Sequence, residues 1–175
     1  GKRLNSITRK MIKLSRIQPG LLNIERQDVK KMLETSLMAV RMKAGQKQIH
    51  FTSDIPEGIF CYGDREFLIT MMENVLDNAI KASHEGGVIK VRAAGEGGAL
   101  AYIQVTDHGI GIPADILDKI DQPFFKGDKA HSQGGDGFGM GLAICKSVML
   151  HHHGSLKYES VVGAYTTVTM RFPAA

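Results

Sequence analysis

Apolar residues recur along this chain with two periods, near 3.6 and near 2, and the switches between them divide it into helices and strands. Leu4, Ile7, Met11 and Leu14, with either Ile12 or Ile17, form a helical stripe in residues 4–17, and no segment before it offers a packing partner. Pro19 and Gly20 break that pattern, so QPGLLNIER reads as a linker. A helix is expected from Val29 to Ala44 with Asp28 as its N-cap, and another after Asp64, a second N-cap candidate. The latter carries Leu68, Met71, Met72, Val75, Leu76 and Ala79 on an apolar stripe roughly 120° wide. Strands are expected near residues 48–53 and 58–62, over Val88–Ala94 and Leu100–Thr106 around a GEGG turn, and over Ser155–Ser160 and Tyr165–Phe172. A short helix is expected over Ala114–Ile120 and a longer one over Leu142–Leu150. These elements imply an α+β domain, an antiparallel or mixed sheet with helices on one face.

Polar residues stand out against that frame in three places. In ENVLDNAIKAS, Glu73 to Ser83, the residues Asn74, Asn78 and Lys81 fall at i, i+4 and i+7 and share one narrow strip of a helix otherwise buried. A carboxamide oxygen can bind a hard cation and an ammonium can hold a phosphate; a solvated helix face would read the same way. In DHGIGI, Asp107 ends a strand-like run, and Gly109 and Gly111 let the backbone turn and let a flat ligand lie close. In GGDGFGMGL, Gly134 to Leu142, five glycines precede a helical run, an arrangement that frees backbone N–H groups for phosphate oxygens.

Taken together, these segments resemble the sensor histidine kinase ATP-binding domain of the GHKL ATPase superfamily. ENVLDNAIKAS looks like its N box, DHGIGI its G1 box, QPFFK (Gln122 to Lys126) its F box and GFGMGL its G2 box, in family order and at family-like spacing. VGAYTTVTMRFP, Val162 to Pro173, is similar to the last strand, so the likeness runs from about residue 25 to the end. The resemblance implies a two-layer α/β sandwich over 25–175, with residues 1–24 ending a dimerisation and phosphoacceptor helix and its linker. It assigns Asn78 to Mg²⁺, Asn74 and Lys81 to the ATP phosphates, and Asp107 to the exocyclic amine of adenine. Gly109 and Gly111 would shape the adenine pocket. Gly137, Gly139 and Gly141, with Leu142, would form the phosphate side, Lys126 would reach the γ-phosphate, and Thr166 or Thr167 would hold a water beside the base. Asn74, Lys81 and Lys126 are thus the groups expected about the transferring phosphoryl group. A carboxylate accepts from adenine's amine but cannot donate to guanine's keto oxygen, so Asp107 would favour ATP over GTP.

The chain departs from the family pattern at Asp121, Ala82 and Tyr165, where an aromatic, an aromatic and a glycine are usual. The superfamily's hydrolases carry a water-activating glutamate four residues before the magnesium asparagine. Here that position is Asn74, and Glu73 points about 100° away on the helix. A carboxamide takes no proton from water, which favours phosphoryl transfer to a side chain. None of the seven histidines has the His-Asp/Glu followed by Thr/Asn-Pro context of a family phosphoacceptor, so the acceptor is expected on a histidine-containing bundle of the same protein. A homodimer and a response regulator are the further partners implied. An anti-sigma-factor serine kinase and a nucleotide-gated interaction module are the alternatives.

Composition narrows the rest. The 175 residues, 43% hydrophobic, can build one core, and a net charge of +4 spread without a dense basic run argues against nucleic-acid binding. Cys61 and Cys145 lack paired spacing and read as free thiols. No stretch reaches the roughly 20 apolar residues of a membrane helix, and the chain opens on Gly1 rather than Met, so we expect a cytoplasmic piece of a longer, membrane-bound sensor. Residues 113–138 are expected to form a lid over the phosphates. His151, His152 and His153 point 100° apart and cannot converge on a metal; cations at a helix C-terminus are expected instead.

Overall fold

Two aspartates turn strand directly into helix. In the computed structural model, which describes residues 22–119 and 138–173, β1 (Ile24–Asp28) runs into α1 (Val29–Gln46) and β3 (Phe60–Asp64) into α2 (Arg65–Ala82). Each strand's last residue is the following helix's N-cap. Asp28 accepts from the Lys31 N–H at 3.1 Å and Asp64 from that of Phe67 at 3.2 Å, satisfying amides that have no partner within the helix. Asp64 also accepts the Asn23 N–H at 2.9 Å, which fixes the start of β1 against the start of α2.

The remaining elements are β2 (His50–Asp54), β4 (Val88–Glu96), β5 (Ala99–Asp107), α3 (Ala114–Leu117), α4 (Phe138–His151), β6 (Ser155–Val161) and β7 (Tyr165–Arg171). The seven strands make one mixed sheet with a path β1-β3-β5-β4-β2. β5 pairs with β4 along one side; on its other side β3 meets it at Ala99 and β7 from Tyr102 to Asp107, with β6 outside β7. The β2–β4 and β3–β5 pairs are parallel, the others antiparallel. Alternate residues of β4 and β5 (Ile89, Val91 and Ala93; Ile103 and Val105) are buried and pack with Leu68, Met71, Met72, Val75 and Leu76 of α2. That is the expected apolar stripe, and it fixes which face of α2 is left to the polar strip.

Four expectations are corrected. QPGLLNIER is not linker throughout, because Ile24–Asp28 is a strand; Ile24, Glu25 and Arg26 are exposed and only Gln27 is buried, the pattern of an edge strand. The strands expected near 48–53 and 58–62 run instead over His50–Asp54 and Phe60–Asp64, each starting two residues later. α4 starts at Phe138 rather than Leu142, so Gly139 and Gly141 fall within its first turn rather than in a loop before it. Glycine's low helix propensity hides that turn in the sequence, although first-turn amides remain free donors wherever glycine stands.

The fourth concerns the histidine run. His152 is 5% exposed, and its ring ties α4 to α2. Nδ1–H donates to the Val148 carbonyl at 2.7 Å while Nε2 accepts the Asp64 N–H at 3.0 Å, so the ring is neutral with its proton on Nδ1. Burial holds its pKa below the ordinary histidine range, against the opposing pull of the Val148 hydrogen bond and the Asp64 charge. Gly63 makes room for it; a Cβ there would stand 2.9 Å from the ring. His151, in the last turn of α4, has its Nδ1 2.8 Å from the Ser147 carbonyl.

The short helix stops at Leu117. The N-terminal stripe at 4–17, the F box with Lys126, Gly137 and most of the expected lid lie outside the described residues. Neither Cys61 nor Cys145 forms a disulfide, as expected, and both are buried; burial pushes the Cys61 thiol up to about 11.

Candidate functional site

α2 carries the strip at Asn74, Asn78 and Lys81, all half-buried. The amide nitrogens of Asn74 and Asn78 are buried, and neither has a hydrogen-bond partner among the described residues. A buried amide without an acceptor costs about 1–3 kcal/mol, and here two stand one turn apart on one helix.

The C-terminal end of α2 meets the loop after β5. The Ile110 N–H donates to the Ala82 carbonyl at 3.0 Å, and a Cβ on Gly109 would collide with that carbonyl. Gly111 has a φ of +72°, and its Cβ would run into the Val161 backbone. Both glycines are therefore required for loop closure, whatever else approaches them. The closure sets Asp107, the last residue of β5, beside the end of the strip.

Asp107 is 4% exposed and accepts the Gly109 N–H at 2.9 Å. Burial raises its pKa above the ordinary carboxylate value, which the Gly109 hydrogen bond and the His108 charge offset in part. A carboxylate held at this depth is a strong acceptor for a ligand N–H. Thr166 is its cross-strand partner on β7. Thr166 is buried, with its hydroxyl 2.8 Å from that of Ser160, whereas Thr167 pairs with Thr106 at 2.9 Å. Of the two threonines, Thr166 is the one set beside Asp107. Leu142 of α4 is buried.

Two residues with a bearing on the site escape the sequence reading. Ser160 accepts the Ile112 N–H at 2.7 Å and donates to the Tyr165 carbonyl at 2.7 Å, which ties the loop after Asp107 to the β6–β7 hairpin. Its partner lies 48 residues away, so no local pattern announces it. Asp77, between the two asparagines, contacts Lys81 at 3.0 Å and Lys43 of α1 at 3.2 Å. Burial pushes its pKa up, but the hydrogen bonds and charges of Lys81 and Lys43 outweigh that and hold it below the ordinary carboxylate value. The i, i+4 spacing to Lys81 was a legible signal for it.

No group of three or more His, Cys, Asp or Glu side chains suited to a metal occurs among the described residues. A divalent ion here would need the Asn78 carboxamide and oxygens brought by a ligand. That suits Mg²⁺, which takes one or two protein ligands together with substrate phosphates.

Residues 63–175 match the family model described as histidine kinase-, DNA gyrase B-, and HSP90-like ATPase. The chain is similar to the sensor-like histidine kinase SenX3 of Mycolicibacterium smegmatis, 35% identical over 173 residues that cover 98% of this chain and 45% of that protein. Among solved structures it superposes on the mycobacterial sensor histidine kinase MprB with a TM-score of 0.71 and 28% identity, over 85% of this chain and 96% of that one. It also superposes on the histidine kinase ThkA in complex with the response regulator TrrA, with a TM-score of 0.77 and 21% identity, over 99% of this chain and 48% of that one. The chain spans less than half the length of the curated relatives it matches. The match over most of the chain, the mixed sheet with its helices, and the strip, loop and carboxylate at one end of α2 place it in the histidine kinase-, DNA gyrase B- and HSP90-like ATPase family, as an ATP-binding catalytic domain of the sensor histidine kinase type.

Proposed function

We propose that this domain binds Mg·ATP along α2 and presents the γ-phosphoryl group to a histidine on a helical dimerisation bundle, from which it passes to a response-regulator aspartate. The observation that carries this is the pair of orphaned amides at Asn74 and Asn78 with Asp107 buried at the end of the same strip. Asp107 accepts from the adenine amine while Gly109 N–H holds its other lone pairs in place. Thr166 stands beside it to keep a water on the base. Asn78 would hold the metal through its carbonyl oxygen, and the amides of Asn74 and Asn78 would find acceptors in the phosphate oxygens. Bound Mg²⁺ neutralises charge on the phosphates during transfer. Lys81 and, from outside the described residues, Lys126 add positive charge there, and the first-turn amides of α4 at Gly139 and Gly141 face the same role.

With Asn74 at the position that a general base occupies in the family's hydrolases, water is a poor acceptor and a protein histidine a good one. Residues 1–24 are read as the end of the bundle and its linker, the protein as a homodimer through that bundle, and the domain as cytoplasmic. The complex of ThkA with TrrA is what brings a response regulator to this reading.

A phosphotransfer assay tests it. The 175-residue chain should bind ATP, hydrolyse it slowly at most and stay unlabelled by radioactive ATP. Adding the histidine-bearing bundle in trans should yield acid-labile phosphohistidine on the bundle. Strong labelling of this chain alone, or acid-stable phosphoserine on an added partner, would overturn the proposal.

A further inference from the structure

Asp77 has no part in the reading above, yet it is the residue in contact with the strip's only ammonium. Helical side chains lean toward the N-terminus, so Lys81 reaches back one turn, to the level of Asn78, where its Nζ meets Asp77 Oδ2 at 3.0 Å. The other carboxylate oxygen, Oδ1, is 3.2 Å from Lys43 Nζ, which comes from a different helix. The side chains of Asp77 and Lys81 are 20% and 23% exposed, so this contact is shielded from water more than an ordinary surface pair. Lys47, the next basic group, is already engaged: it donates to the Ile80 and Lys81 carbonyls at 2.9 and 3.0 Å. Asp77 is thus bracketed by two ammoniums, and the three charges sum to +1.

We propose that Asp77 is a positioning residue that restrains Lys81, its carboxylate competing with the nucleotide phosphates for the same ammonium and so setting how tightly the phosphate tail is held. Lys43 is the counterweight. By occupying one carboxylate oxygen it weakens the hold on Lys81; without it, Asp77 and Lys81 would close into a neutral pair. The device suits a phosphotransfer domain, which must release ADP after each turnover. The inference rests on the reading of α2 as the phosphate side of the site.

The test is a set of titrations of this chain with ADP by calorimetry and with adenosine by NMR. Asp77→Asn keeps the shape, removes the competitor and raises the local charge. It should tighten ADP by about five-fold and slow its release, with adenosine affinity unchanged. Lys43→Met should weaken ADP by a similar factor, again sparing adenosine, and should have less than half that effect in the Asp77→Asn background. A merely structural link between α1 and α2 would lower the melting temperature and weaken both ligands together. Weaker ADP binding by Asp77→Asn, or equal changes for ADP and adenosine, sinks the inference. Lys81→Met separates it from the underlying reading: it should weaken ADP and spare adenosine. If Lys81→Met behaves so and Asp77→Asn does not tighten ADP, only the restraint is wrong; if Lys81→Met leaves ADP unchanged, the assignment of Lys81 to the phosphates fails and the restraint with it.

Discussion

α2 has a buried polar cluster at each end, and the two are built in opposite ways. At the N-terminal end, the Asp64 carboxylate accepts two backbone amides, its own N–H goes to His152, and the other nitrogen of that ring donates to Val148. Toward the C-terminal end, the amides of Asn74 and Asn78 are buried with no acceptor among the described residues, and Asp107 sits nearby at a raised pKa. A satisfied cluster contributes to the fold; an unsatisfied one costs stability that a ligand can restore. The same helix therefore separates residues whose loss should unfold the domain from residues whose loss should empty it.

The largest expected effect on that contrast is at Asp107. Asp107→Ala should weaken ATP by roughly 10- to 150-fold, the loss of a charge-assisted hydrogen bond. Asp107→Asn should lose a comparable factor because it offers adenine a donor, yet it keeps an acceptor for Gly109 N–H and removes a carboxylate that burial penalises. Its melting temperature should match or exceed that of the parent. A fall of several degrees with ATP affinity intact would place Asp107 in the fold instead.

At the other end the pattern should invert. His152→Ala leaves a cavity and strips the Asp64 N–H of its acceptor, so chemical denaturation should show a loss of about 3 kcal/mol. ATP affinity measured well below the melting temperature should change by less than two-fold. Next in size is Asn78→Ala, which should weaken ATP much more with magnesium than in EDTA while leaving stability level or slightly higher, since an orphaned donor goes. Equal losses in the two buffers would make Asn78 structural.

The smallest effect is one of pH. Because the folded pKa of His152 is lowered, the unfolded chain binds the extra proton first. Its contribution is complete above the unfolded value near 6.5 and is lost as pH falls through the folded value. Asp107 has the reverse sign: its raised folded pKa makes the native state gain relative stability as pH falls toward the unfolded carboxylate value. Denaturation midpoints between pH 7.5 and 5 should therefore fall in the parent and flatten in His152→Gln. A slope that survives the substitution would assign it to other groups, with Asp64, His151 and His153 the neighbours that face the ring.

What the sequence made legible follows from which signals are local. The caps Asp28 and Asp64, the apolar stripe of α2 and the alternation in β4 and β5 are each contained within a few residues, and each reads correctly. The strip of Asn74, Asn78 and Lys81 is equally local, being a matter of 100° steps. β1 was missed because an edge strand buries neither face fully. The depth of His152 is invisible in the sequence because a helical wheel gives direction only, and depth decides whether an imidazole is charged. Ser160 and Lys43 act through partners that only the tertiary fold supplies. Asp77 carries a local signal, its i, i+4 spacing to Lys81, but the two asparagines beside it make a complete pattern without it.

Asp64 has a consequence for how this chain tolerates change over generations. One side chain caps a helix and anchors the chain entering β1, while the same residue's backbone engages the ring that fixes α4. A substitution there is felt at once in the α2 cap and in the chain entering β1, while the backbone N–H to the His152 ring survives it, so almost no route away from it is gradual. Asn23 contributes to that junction only through its main chain, and position 23 is free to wander among side chains without loosening the anchor. Of two residues that touch, one is nearly frozen and its partner nearly neutral, an asymmetry set by which of them spends its side chain on the contact.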